Sequence, residues 1–143
     1  MAGENDPNSA FAREFFIYQQ DFAGLAAGAT MVGNIQIQAD SDFLLRKLTY
    51  FADIAGAAQT DSGRVIPLVS LQITDTGSGR FLMERSVPIT DLFGTGELPF
   101  IIPTPKLFTA RAVVSLQVTN FSAATDYNLR LSFIGEKLYR RGY

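Results

Sequence analysis

PLVSLQITDTGSGRFLMERSV, residues 67–87, is the stretch on which the fold turns. Val69, Leu71 and Ile73 alternate with Ser70, Gln72 and Thr74, the period-two pattern of a strand with one face buried and one face wet. The segment DTGSG that follows holds the Asp, Gly and Ser that tight turns require. The chain then returns as RFLMERSV, so Pro67–Val87 reads as a hairpin.

The same alternation extends outward in both directions. Toward the C-terminus, Val114, Leu116 and Val118 alternate with Ser115, Gln117 and Thr119, and Leu129, Leu131 and Phe133 keep step in YNLRLSFIGEKLY. Between them PFIIP, residues 99–103, is fenced by prolines, which suits a sheet edge better than its centre. The connection holding Pro88, Gly94, Gly96 and Pro99 has room for one helical turn at Thr90–Phe93. Toward the N-terminus, GAAQTDSGR (56–64) reads as a surface loop. FLLRKLTYFADI (43–54) reads as a strand: Leu44, Leu45, Leu48 and Phe51 also fit helical spacing, but Thr49 and Tyr50 favour β. Ile35 and Ile37 alternate with Asn34, Gln36 and Gln38, and FAREFFIYQQDF (11–22) is aromatic and strand-like. About eight strands separated by turns, with no long helix, predict an all-β fold: a single-domain β-sandwich or jelly roll over residues 10–143. Residues 1–9, polar and broken by Pro7, read as a flexible N-terminal arm.

Composition narrows the function classes. In 143 residues, 47% are hydrophobic and only 18% charged, against about 25% charged in an average soluble domain. Such a surface is either rich in uncharged polar groups or covered by partners. The net charge of −2 comes without a long basic run, so nucleic acid is not an expected partner. Cysteine and histidine are both absent. That removes thiolate nucleophiles, zinc–thiolate sites and the usual general base, so no catalytic residue, metal or cofactor is expected, and the chain reads as a non-enzyme. No run reaches the ~18 apolar residues of a membrane span, and MAGENDPNSA lacks a signal peptide's basic start.

Three strings invite a chemical reading. Asp75-Thr76-Gly77-Ser78 looks like the active-site motif of aspartic proteases, with Phe133-Ile134-Gly135 downstream in the place of that family's apolar-apolar-Gly loop. Thr74 stands where an apolar residue is usual, however, and only EKLYRRGY follows Gly135, so a hairpin turn is the favoured reading. Asp40, Asp42 and Asp53 lack the calcium-loop spacing. Asn120-Phe121-Ser122 matches a glycosylation acceptor, a pattern short enough to arise by chance. For subunit contact the candidates are Phe11, Phe15, Phe16 and Tyr18, since with Phe22 they exceed what one strand face can bury. At the other end stand Tyr139, Arg140, Arg141 and Tyr143, types enriched at interface hot spots.

Over nearly all its length the chain resembles the cement or decoration proteins that coat the heads of tailed bacteriophages, and phage virion proteins more generally. The features shared are the polar arm before FFIYQQDF (15–22), the strand GNIQIQADSDF (33–43), the loop ADIAGAAQTDSG (52–63) and the closing YNLRLSFIGEKLY (127–139). The resemblance implies a sandwich that oligomerises and straddles neighbouring capsomers, sending its arms along the shell. The implied partners are the chain itself, as dimer or trimer, and the major capsid protein. The implied location is the capsid surface of the virion, after assembly in the host cytoplasm. No site residue carries over. A head-fibre, tail or baseplate part would use the same fold. Two further classes stay open: a small-ligand or carbohydrate-binding sandwich stacking sugar on Tyr50 and Tyr127, and a homodimeric aspartic protease on Asp75.

Overall fold

A computed structural model describes residues 11–55, 65–76 and 78–140, apart from the side chains of Phe11 and Arg140. The expected arm at 1–9 and the expected loop at 56–64 lie outside those residues. Nine strands are present among the described residues: β1 Phe11–Leu25, β2 Thr30–Gln36, β3 Asp42–Ile54, β4 Val69–Asp75, β5 Arg80–Phe81, β6 Val87–Pro88, β7 Phe100–Phe108, β8 Val113–Asn120 and β9 Tyr127–Arg140. One short helix, α1 Ile89–Leu92, is the single helical turn expected at Thr90–Phe93, set one residue earlier. No helix among the described residues is long and apolar enough to cross a membrane.

The pairing is nested. β1 pairs with β9, β2 with β8, β3 with β7, and β4 with β5 and β6, all antiparallel. Two more pairings, β3 with β9 and β4 with β8, roll this long hairpin into two sheets, of order β1-β9-β3-β7 and β2-β8-β4-β5. A double sheet rolled from nested antiparallel pairs is a jelly roll.

The hairpin that decided the fold forms, but its return arm is divided. Asp75 and Thr74 pair with Arg80 and Phe81, and Leu71 and Ser70 pair with Val87 and Pro88. The residues between them outnumber those opposite, so the chain bows out at the exposed Glu84 and Arg85. Met83 turns back, and its sulfur accepts the Ile73 N–H at 3.1 Å. This break turns the expected eight strands into nine.

The core lies between the sheets. Phe22, Phe43, Phe108 and Phe133 are fully buried there with Leu71, Ile73 and Leu116, and each such side chain contributes roughly 1.5–3 kcal/mol by leaving water. One irregularity shapes the surface. The pairing of β3 with β9 shifts between Leu45 and Lys47, leaving Arg46 as an extra residue, and a bulge of this kind re-aims side chains. Gly135 sits opposite it: a Cβ there would lie 2.0 Å from the Leu44 carbonyl oxygen. The close approach of the two strands therefore requires glycine.

Candidate subunit interface

Alternation fixes which side chains of the four-stranded sheet face away from the core. Phe15 of β1 stands opposite Glu136 of β9, which stands opposite Leu44 of β3 and then Leu107 of β7. In the next row Ile17 faces Ile134, then Lys47, then Ile101. A third row runs from Arg13 through Leu138 to Asp42. The two central rows carry six apolar side chains across all four strands. Phe15 is 68% exposed, Ile101 65% and Ile17 45%. Single exposed apolar residues are ordinary on a soluble protein, whereas a contiguous apolar patch marks a surface that meets something else.

Charges hold this face in order. Glu136 accepts from Arg46 Nε at 2.8 Å and from Arg13 Nη1 at 3.2 Å. The first bond is the larger cause of a Glu136 pKa below the ordinary carboxylate value. The bulge supplies Arg46 to this pair, so the irregular residue of β3 fixes the carboxylate within the row that runs from Phe15 to Leu107. Farther along, Arg130 Nε lies 4.0 Å from Asp21 Oδ2.

The structure separates the contact residues expected from the sequence. Phe15 points outward. Phe16 and Tyr18 point inward: Phe16 is half-buried against the core, and Tyr18 is buried, edge-on to Phe43 at 4.8 Å between ring centroids. Together they seat Lys137, an inward-facing lysine whose Nζ lies 4.1 Å from the Phe16 ring centroid and 3.3 Å from Asp40 Oδ2. Nζ also donates to Gln38, whose own N–H is accepted by the Tyr18 hydroxyl at 3.0 Å. Burial disfavours the ammonium charge, but the hydrogen bond and charge of Asp40 outweigh it and raise the Lys137 pKa. Tyr139 is half-buried at the same end and donates its hydroxyl to Glu14 Oε1 at 2.9 Å. Phe11 and Arg140 pair through their backbones, while Arg141 and Tyr143 lie outside the described residues. The outward Ile17, Leu44, Ile101, Leu107 and Ile134 were not singled out from the sequence.

The other expected sites fall out as follows. Asp75 is buried at the end of β4, with Oδ2 3.8 Å from Lys106 Nζ, and its backbone carbonyl accepts from Ser78 Oγ at 3.5 Å. Asp42 accepts the Ala110 N–H, Asp40 meets Lys137, and Asp53 is buried elsewhere on β3. No three acidic groups among the described residues converge to hold a metal ion. The Asn120 side chain is fully buried, with its amide donating to the Leu25 and Thr125 carbonyls and its oxygen accepting from Ser122. It offers no nitrogen to a glycan. Tyr127 is buried, its hydroxyl accepting the Leu68 N–H at 3.3 Å, so it is not a platform for sugar. A cavity of about 320 Å³ opens between the sheets beside Lys106, but Leu45, Leu48, Ile73, Phe100 and Ile102 make its wall apolar.

No family model matches the chain, and no curated protein matches it. Among solved structures, a chain of the cyanophage Pam1 capsid asymmetric unit is similar at 16% identity, with 92% of this chain and 87% of that chain covered and a TM-score of 0.46.

Proposed function

We propose that this protein is a structural part of a bacteriophage virion, a cement or decoration protein that binds the outer capsid surface and bridges neighbouring major capsid subunits. One observation carries the reading: two adjacent rows holding six exposed or half-buried apolar side chains, pinned by the Arg13–Glu136–Arg46 cluster, cross the outer face of one sheet from edge to edge. Apolar side chains exposed beside ordered arginines are the chemistry of a protein–protein interface. The phage-like character of the strands and loops in the sequence supplies the shell as the partner. In this reading the chain acts by contact and not by catalysis, and Asp75 serves its hairpin through the Lys106 ion pair. Residues 1–9 supply the bridge to a second capsid subunit.

The test is binding of the purified protein to empty phage shells, with and without residues 1–9, followed by heating of the loaded shells. The reading expects saturable binding at a fixed ratio and a higher shell melting temperature, because a ligand bound only to the assembled state stabilises it. Deletion of residues 1–9 is expected to remove most of the stabilisation, since bridging makes release depend on breaking several contacts together. Absence of binding, or binding that leaves the shell melting temperature unchanged, overturns it.

A further inference from the structure

Among the described residues the sandwich has four strand edges, and three of them are guarded or short. β7 carries Pro103 and Pro105 and leaves the ladder between Ile101 and Lys106, and a proline offers no N–H to an incoming strand. β5 and β6 are two residues each, and β2 has seven. β1 is different. It runs for fifteen residues without a proline and, among the described residues, borders its sheet with only β9 as a ladder partner. A long edge with unpaired N–H and C=O groups is a template for another strand.

We propose that β1 is the edge through which two copies of this chain pair, antiparallel about a two-fold axis at Ile17, joining two four-stranded sheets into one of eight strands. A two-fold pairing must be self-complementary, and this register is. Ile17 faces Ile17 of the second copy, Phe15 faces Gln19, and Arg13 faces Asp21 on both sides of the axis. The neighbouring registers lose the match. Centring on Tyr18 sets Phe15 against Asp21, and centring on Phe16 sets Arg13 against Gln19. Because Ile17 already faces Ile134 within the sheet, the Ile17 register draws an unbroken row from Ile134 across both Ile17 side chains to Ile134 of the second copy. The charges continue as well: Arg46, Glu136 and Arg13 on one copy lead to Asp21 and Arg130 on the other, alternating in sign throughout. Along this edge the Asp21 carbonyl now accepts from Gln20 Nε2 at 3.1 Å, a contact that a flexible side chain yields without moving the backbone. The inference needs only the edge and its register, so the shell-binding reading can fail while it stands.

The full chain is measured by sedimentation equilibrium over a wide concentration range, with a cross-linking experiment beside it. A reversible dimer is expected. Ile17→Lys, which sets like charges face to face on the axis, is expected to weaken it by at least about a hundredfold while circular dichroism is unchanged. The chain has no cysteine, so Ile17→Cys introduces a single thiol. Directly opposed Cβ atoms lie about 4.5–5.5 Å apart, close to what a disulfide needs. Mild oxidation is then expected to give a covalent dimer from Ile17→Cys and none from Val32→Cys, an exposed position on β2. A monomer at every concentration, a trimer, or a dimer indifferent to Ile17→Lys overturns the proposal. Should Ile17→Lys fail to fold, cross-linking decides: no covalent dimer from Ile17→Cys overturns it equally.

Discussion

Along β8 the residues pointing away from the core are Val113, Ser115, Gln117 and Thr119; along β9 they are Arg130, Ser132, Ile134, Glu136 and Leu138. The first set continues sideways as Thr30, Val32, Asn34 and Gln36 on β2 and as Ser70, Gln72 and Thr74 on β4. None of these outward positions is ionisable. Two strands of equal regularity thus give one face of neutral polar groups, satisfied by water, and one face of apolar rows locked by ion pairs. The first face accounts for the low charge of the chain, while the second, which mixes apolar side chains with paired charges, is the one with a reason to lose its water to a partner.

The largest expected effect separates the two faces directly. Phe15→Ser with Ile134→Ser is expected to weaken binding to phage shells by about a hundredfold or more, since hot-spot side chains carry about 2 kcal/mol or more each. Gln72→Ala with Gln117→Ala on the other face is expected to change it less than about twofold. A shell pelleting titration checks both, and an equal loss from the two pairs would show that the faces have been ranked wrongly.

A stability effect comes next, from the same substitution made once in each sheet. Gly135→Ala drives a Cβ into the Leu44 carbonyl and is expected to cost about 2–3 kcal/mol, as overpacking against backbone does. For Gly33→Ala the nearest atoms are all of the Gln20 side chain, which swings aside at a cost of less than about 1 kcal/mol. Urea denaturation of the two variants measures the difference, and similar midpoints would remove the special role of the bulge.

The smallest effect is in the pH dependence, to which the outward positions of β2, β8 and β4 contribute nothing. Glu136 has a lowered pKa in the folded chain. Its contribution is therefore present above the ordinary carboxylate value of about 4.3 and is lost as pH falls through the lowered folded value. With the side chain partly exposed, less than about 1 kcal/mol is at stake. Lys137 has a raised pKa, so its contribution is complete below about 10.4 and is lost as pH rises through the folded value. Denaturation midpoints of Glu136→Gln should lose the acid-side slope and keep the alkaline one; retention of the acid slope would place its origin elsewhere.

How far the sequence discloses this molecule depends on which rule each segment obeys. β4 and β8 are apolar on one phase and polar on the other, so period two reads them directly, and the same rule identifies the inward face of β9. The interface face escapes that reading because its strands are apolar on both phases: Leu44 beside Leu45, and Phe133 beside Ile134, leave no alternation to follow. The Arg46 bulge then shifts the phase of β3 midway, which no propensity announces. Phe16 and Tyr18 were expected at a surface because aromatics crowd this segment. Their inward seats depend on Lys137, a lysine on the core phase of β9 whose burial is possible only because Asp40 and Gln38 reach it from a turn distant in sequence.

The nested pairing also sets the order in which the protein can be made. Phe11 meets Arg140, so β1 leaves the ribosome well before β9 and waits for it before their sheet can zip. β9 lies between β1 and β3, and until it arrives those two have no shared neighbour and the four-stranded sheet has no middle. Pairings of such long sequence separation make folding slow, on the order of milliseconds to seconds. During translation the nascent chain therefore carries the long β1 edge, aromatic and unpaired, until β9 is made, when an untimely partner is most costly.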